Sequence, residues 1–209
     1  MKIKPLAIPI LLFFSMFLQT SCSLKTTKQT VETPDWQQRQ VQLSAISGWT
    51  MRARIGIRSQ QVNGSASMIW EESVSGRTLD LLGPLGGGAI HLVQNETGAT
   101  LTDSKGMSWY NSNARDLVRE ATGWEIPVSS LRWWILGLTE PGSIASYSLD
   151  EQSRLQSIEQ HGWLVTYNRY ARFGAYELPS SITVTSDKKP ADYDAVQVKL
   201  IIKGWEIKD

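Results

Sequence analysis

Between residues 49 and 58 the chain reads WTMRARIGIR, with Trp49, Met51, Ala53, Ile55 and Ile57 on every second position. A period of two puts these side chains on one face of a strand and sends Arg52, Arg54 and Arg58 to the other, where they read as a solvated outer surface. The pattern recurs in NGSASMIWEE, RTLDLLG, GAIHLVQ and ATLTDSKGMSWY, and after Ile144 in IASYSLDE, LQSIEQ, GWLVTYNRY, SSITVTS and AVQVKLIIKGWEI. Trp163, Val165 and Tyr167 share one face, as do Val196, Val198, Leu200 and Ile202. About ten short strands without crossover helices between them predict a mainly β fold, an antiparallel barrel or curved sheet.

Helical spacing appears in three places. Trp36 to Ile46 carries Val41, Ala45 and Ile46 among Gln and Arg and ends near Gly48, and NARDLVREATG (113–123) has Ala114, Leu117, Val118 and Ala121 between a polar cap and Gly123. PVSSLRWWILGL (127–138) puts Leu131, Trp134, Ile135 and Leu138 on one face and continues the apolar surface through Trp133 and Leu136. A helix apolar nearly all round must be covered on most of its circumference. The two central helices are therefore expected to plug or cover the concave side of the sheet. Arg132, inside this apolar helix, either reaches an acid or strand carbonyls or snorkels to solvent with its stem packed, and the second reading is slightly favoured.

The beginning of the chain reads as an export signal. Lys2 and Lys4 precede an apolar run, LAIPILLFFSMFL (6–18), which is shorter than the roughly 20 residues of a spanning helix. Directly after it comes QTSCS (19–23), with Cys22 the only cysteine of the 209 residues. A lone thiol in an exported chain is reactive, intermolecular or modified, and its position after Thr20 and Ser21 points to modification. Residues 1–21 read as the signal peptide, 22–34 as a lipidated start and flexible tether, and 35–209 as one domain. Loss of Lys2 and Lys4 with the signal changes the formal charge from +1 to −1. No strong basic field is expected to remain, so nucleic acid is not an expected partner.

Signals for catalysis are thin. His91 and His161 stand apart without metal-ligand spacing, there is no cysteine pair and no G-x-S-x-G, and no phosphate-cradling glycine loop is present. Glu71 and Glu72, at a strand end, read as solvated. Neither an enzyme, a metal nor a cofactor is expected. LDLLGPLGGGAIHL (79–92) raises a different question, because Leu85 occupies a hairpin tip where Gly, Asn, Asp or Ser usually sits. It either folds back on the core or is displayed to an apolar partner, with the surrounding glycines letting the chain stand out and turn.

The lipobox-like segment at Cys22, GWTMRARIGIR (48–58), GPLGGGAIHL (83–92), ATGWEIPVSSLRWWILGLTEPG (121–142) and the Gly-Trp pair ending at Trp205 together resemble the LolB family of outer-membrane lipoproteins. SLRWWILGL is the most distinctive part, and Gln19 departs from the usual lipobox leucine, which is displaced to Leu18. The resemblance implies an incomplete, strongly curved antiparallel β-barrel whose apolar inside is covered by helices. It implies acylation of Cys22 and, from Ser23, sorting to the outer membrane, facing the periplasm. It further implies a monomer that accepts acylated lipoproteins from a LolA-type periplasmic carrier and inserts them into outer-membrane lipid. On this reading Leu85, flanked by Pro84 and Gly86, is the membrane-insertion loop.

A pocket for acyl chains needs inward-facing apolar side chains that leave space. By alternation the candidates are Met51, Ile55, Met68, Trp70, Leu131, Trp134, Ile135, Val165 and Val198, each of which either lines a cavity or fills a core. Two other functions remain open: an assembly lipoprotein with a filled interior that binds a protein through its sheet, and a lipid or glycolipid binder using the same cavity.

Overall fold

The computed structural model describes residues 34–59, 63–84, 88–122, 127–186 and 196–208. In chain order the elements are α1 (Pro34–Ser44), β1 (Gly48–Arg58), β2 (Asn63–Ser73), β3 (Gly76–Leu82), β4 (Ala89–Asn95), β5 (Gly98–Asp103) and β6 (Ser108–Asn111), then α2 (Ala114–Thr122) and α3 (Val128–Trp134), then β7 (Ala145–Leu149), β8 (Leu155–Gln160), β9 (Trp163–Phe173), β10 (Tyr176–Ser186) and β11 (Gln197–Lys208). The export signal, Cys22 and the tether lie outside the described residues, as do Leu85 and Gly86.

The eleven strands form one antiparallel sheet in the order β6-β5-β4-β3-β2-β1-β11-β10-β9-β8-β7. Within β1–β6 and within β7–β11 strands adjacent in sequence lie side by side, and the pairing of β1 with β11 joins these two meanders. The end strands β6 and β7 do not pair with each other, so the sheet stays open. Of the antiparallel barrel or curved sheet expected from the alternation, and the incomplete barrel implied by the family resemblance, the observed fold is the open antiparallel sheet, not closed into a barrel. Arg58 pairs with Asn63 on one side and Gln197 on the other, which brings the β1–β2, β3–β4, β5–β6, β8–β9 and β10–β11 connections to a single end of the sheet, here termed the rim.

Alternation in the sequence becomes burial in the strands: Met51, Ala53, Met68, Trp70, Val165, Val198, Leu200 and Ile202 all point into the covered side. Trp49 is fully buried between Trp70 and Trp205, with ring centroids 5.6 and 5.0 Å away. The other half of the sheet is closed by α1, whose Trp36 packs on Tyr147 with ring centroids 5.7 Å apart and donates to the tyrosine hydroxyl at 3.3 Å. Arg39 of the same helix donates to the Glu177 carbonyl and lies over the Tyr170 ring.

Asn113 starts α2 by accepting the Arg115 backbone N–H on its side-chain oxygen at 2.9 Å. Ala114 and Leu117 then pack on Leu92, Ala99 and Leu101 of β4 and β5. α3 is shorter than its apolar pattern predicts, ending at Trp134 and not at 138. The Leu138 N–H bonds the Trp133 carbonyl and the Gly137 N–H bonds the Trp134 carbonyl, each at 3.0 Å, with Gly137 at φ +81°. This is a Schellman closure, in which the left-handed residue ends the helix and turns Leu136 and Leu138 into the core.

At Gly137 a Cβ would meet Pro179 Cγ at 3.4 Å as well as the left-handed φ. Gly137→Ala is expected to cost about 1–2 kcal/mol. Thermal melting checks this, with a fall in Tm of roughly 2–8 °C expected for a domain of this size.

Candidate functional site

Half of the covered side is not filled. Between β1–β5 and β11 below and α2 and α3 above lies a cavity of about 420 Å³, within the roughly 300–1,000 Å³ range of small-molecule pockets. Its floor is Ile55 and Ile57 of β1, Ala66, Met68 and Trp70 of β2, Leu79 and Leu81 of β3, Ile90 and Leu92 of β4, Leu101 of β5, and Val198 and Leu200 of β11. Val118 of α2 and Val128 and Leu131 of α3 form its roof. Gly64, Ser65, Gly83, Pro84 and Gly88 complete the wall near the rim. No charged side chain lines it, so it offers apolar contact without polar discrimination.

Of the residues picked out by alternation, Ile55, Met68, Trp70, Leu131 and Val198 stand on this wall. Met51, Trp134, Ile135 and Val165 do not; all four are completely buried in the filled core. Alternation names the face of a strand but not which half of the sheet is filled. Met51 lies opposite Trp70 and Trp205 in the indole cluster, Val165 lies on β9 beyond that cluster, and the Trp134 indole is drawn toward β8. Among the wall residues that were not singled out, Leu79, Leu81, Ile90 and Leu92 carry the same period of two in the strands flanking GPLGGG. Pro84 is exposed and belongs to the cavity wall, so the base of the β3–β4 loop is continuous with the pocket and not separate from it.

Two buried polar groups hold the roof. Glu72, expected at a solvated strand end, is only 2% exposed. Its carboxylate accepts from the Trp70 indole at 3.1 Å and from an Arg77 guanidinium nitrogen at 3.2 Å. Arg132 Nε of α3 lies 3.1 Å from the same carboxylate without its N–H being aimed at it, so the contact is charge pairing and not a directed hydrogen bond. Arg132 therefore reaches an acid instead of snorkelling free, with its guanidinium also 4.7 Å from the Trp133 ring centre. Burial lowers the Arg77 pKa from its ordinary value, opposed by Glu72 and reinforced by the Arg132 charge. The sequence could not announce this cluster, because its cations come from β3 and α3 and meet Glu72 only in the fold.

The second group is Gln160 on β8. Its carbonyl accepts the Trp134 indole N–H at 2.8 Å and the Glu140 backbone N–H at 3.0 Å, while its amide donates to the Glu140 carbonyl at 2.9 Å. Tyr167 donates its hydroxyl to the Trp134 carbonyl at 2.9 Å, and burial raises its pKa well above the usual range, which keeps it a donor. One end of α3 is thus tied to β8 and β9, and its middle to β2 and β3.

The histidines are elsewhere. His91 lies 2.6 Å from Asp80 on the outer face, and His161 lies 2.6 Å from Glu140, which also accepts from Ser130. Among the described residues no group of three His, Cys, Asp or Glu could hold a metal ion.

The sequence model of a family described as "Outer membrane lipoprotein LolB" matches residues 47–205. The Outer-membrane lipoprotein LolB of Pseudomonas savastanoi pv. phaseolicola is 33% identical over 202 residues, covering 94% of this chain and 95% of that protein. The protein of the same name from Pseudomonas aeruginosa is 33% identical over 197 residues, 92% of each chain. Among solved structures, a LolA superfamily protein from Nitrosomonas europaea superposes with a TM-score of 0.53 at 8% identity, covering 86% of this chain and 95% of that one. A DUF1329 family protein from Desulfovibrio piger gives 0.50 at 7% identity, covering 83% and 91%. At such identities the likeness is one of fold.

Glu72→Gln leaves Arg77 and Arg132 without their shared counter-charge. It is expected to destabilise the domain by about 3–5 kcal/mol, since breaking a buried ion pair strands the remaining charge. Urea unfolding measures this directly: a lower midpoint with an unchanged slope is the expected result.

Proposed function

The chain belongs to the LolB family, and from that premise we propose that its apolar cavity receives the acyl chains of lipoproteins on their way into the outer membrane. It is an outer-membrane lipoprotein facing the periplasm, a transport factor and not an enzyme, and it takes lipoprotein cargo from a LolA-type carrier. One observation carries the assignment of the cavity: a space of about 420 Å³ walled by aliphatic side chains, Met68 and Trp70, with no charge to select a headgroup. Each methylene moved from water into it gains about 0.8 kcal/mol, so a chain exposed during handover has a strong reason to enter. An assembly lipoprotein with a filled interior would have no use for such a space.

Handover needs no nucleotide. An acceptor that holds the chains about tenfold tighter than the donor gains roughly 1.4 kcal/mol, enough to draw cargo forward. The membrane, as the tighter final sink, then empties the acceptor. Acylation of Cys22 supplies the anchor, several chains being needed because one gives only marginal, reversible binding. The domain works as a monomer in this scheme.

Leu85 is assigned to the last step. In sequence it falls within the β3–β4 connection, of which Gly83, Pro84 and Gly88 form part of the cavity wall. A projecting leucine that dips into lipid gains about 1.5–3 kcal/mol, which suits a transient touch and not an anchor.

Two variants test the two halves of this reading. Ala66→Trp puts an indole into the cavity, and acceptance of a photo-cross-linkable lipoprotein from loaded carrier is expected to fall at least tenfold with Tm nearly unchanged; undiminished acceptance would remove the cavity from the pathway. Leu85→Glu is expected to accept cargo normally and to fail in passing it to liposomes, and equal loss of both steps would point to folding instead.

A further inference from the structure

The outer face of the sheet, turned away from the helices, is charged on one side only. Arg52, Arg54 and Arg58 of β1 and Lys199 and Lys203 of β11 are all exposed. The register sets them side by side, Gly56 opposite Lys199, Arg58 opposite Gln197 and Arg54 opposite Ile201, with a bulge at Arg52/Ala53 that adds Lys203 to the row. Among the described residues no carboxylate lies within ion-pair distance of any of the five. The neighbouring outward positions are Ser67 and Ile69 on β2 and Thr183 and Thr185 on β10. Among the described residues the outward acids stand around the row and not in it: Asp80, two strands from Arg52 and engaged by His91, Glu159 on β8, and Glu71 and Glu206 opposite Thr50 at the end away from the rim, the former 3.7 Å from Lys208. The chain without its first 21 residues has a formal charge of −1, so five unpaired cations on one face are a segregation and not a reflection of composition.

We propose that this face docks on the anionic headgroup surface of the membrane that anchors the chain. The proposal rests on the reading of Cys22 as lipidated. Residues 22–33 between that cysteine and α1 then reach at most about 40 Å at 3.3–3.6 Å per residue, which holds the domain permanently near the bilayer. At such proximity weak electrostatics suffices, since each Lys or Arg close to an anionic surface raises partition about fivefold. A carrier protein is the poorer occupant, because the cavity that takes cargo opens off the helix-covered face of the sheet, whereas these cations lie on the opposite face. Arg58 and Lys199 lie toward the rim, so tilting the docked domain in that direction brings the β3–β4 loop to the same lipid surface.

The test uses the mature chain with Cys22→Ala, so that the anchor does not mask the face. Its binding to phosphatidylglycerol–phosphatidylcholine vesicles and to vesicles of phosphatidylcholine alone is measured by co-sedimentation. Binding to the anionic vesicles only is expected, lost at high salt, where the screening length falls to about 3 Å at 1 M. Arg54→Glu with Lys199→Glu is expected to weaken it by about 25-fold or more, from the constant of about fivefold per cation. Arg172→Glu with Lys105→Glu, an equal charge change at two exposed positions outside the row, is expected to leave most of the binding in place. Equal loss in the two double variants, or no preference for anionic vesicles, overturns the proposal. So does a result in which the Arg54/Lys199 variant binds vesicles normally and loses affinity for loaded carrier, which would make the face a protein surface. Cargo acceptance by the same variants is scored separately: failure of the unmodified face to bind vesicles while acceptance persists removes this inference and leaves the cavity reading standing.

Discussion

An antiparallel sheet whose end strands do not meet has an inner face that other elements must cover, and three helices of 11, 9 and 7 residues are little material for eleven strands. The consequences divide across the molecule. Under α1 and the turn after α3 the cover is complete, with Trp36, Trp134, Leu155 and Ile158 packed without exposure. Over β1–β5 and β11 it is not, because α2 and α3 contribute only Val118, Val128 and Leu131 above a floor of aliphatic side chains. Interiors normally pack as densely as organic crystals, so a void of this size represents contacts the free protein forgoes. An apolar guest would restore them, and on the proposed reading that guest is the acyl chain of the cargo.

A roof over such a void cannot rely on hydrophobic packing beneath it. Beyond the Trp134 packing at its end, α3 is held by polar groups in buried surroundings, Glu72 with Arg77 and Arg132, and Gln160 and Tyr167 with Trp134. Interactions of this kind are directional and become costly when half-made, so they fix where the helix sits. They also lie beside the cavity and not in it, which leaves its wall free of charge. An ion pair on the wall would have demanded a polar group from every ligand.

Much of the fold could be read in advance because strand burial is a one-dimensional pattern. WTMRARIGIR states which of its residues face inward without reference to any other part of the chain. SLRWWILGL likewise states that a helix is buried, although its apolar residues continue past Gly137, whose left-handed backbone ends the helix early. The site was less legible. Met51 and Ile55 carry the same signal, yet one is walled in by Trp70 and Trp205 and the other borders open space. Only the third dimension separates them. The same holds for Glu71 and Glu72, adjacent in sequence and on opposite faces of β2, of which the first meets Lys208 at the surface and the second two arginines in the interior.

The base of the β3–β4 hairpin is tied by the pairs Leu81–Ile90 and Leu82–Ala89 and by the Gly83 N–H bonded to the Gly88 carbonyl at 3.1 Å. Leu81 and Ile90 are at once the last rungs of that ladder and part of the pocket floor. The rungs that close the hairpin base are therefore the same side chains that floor the pocket, so a substitution that loosens the one also reshapes the other.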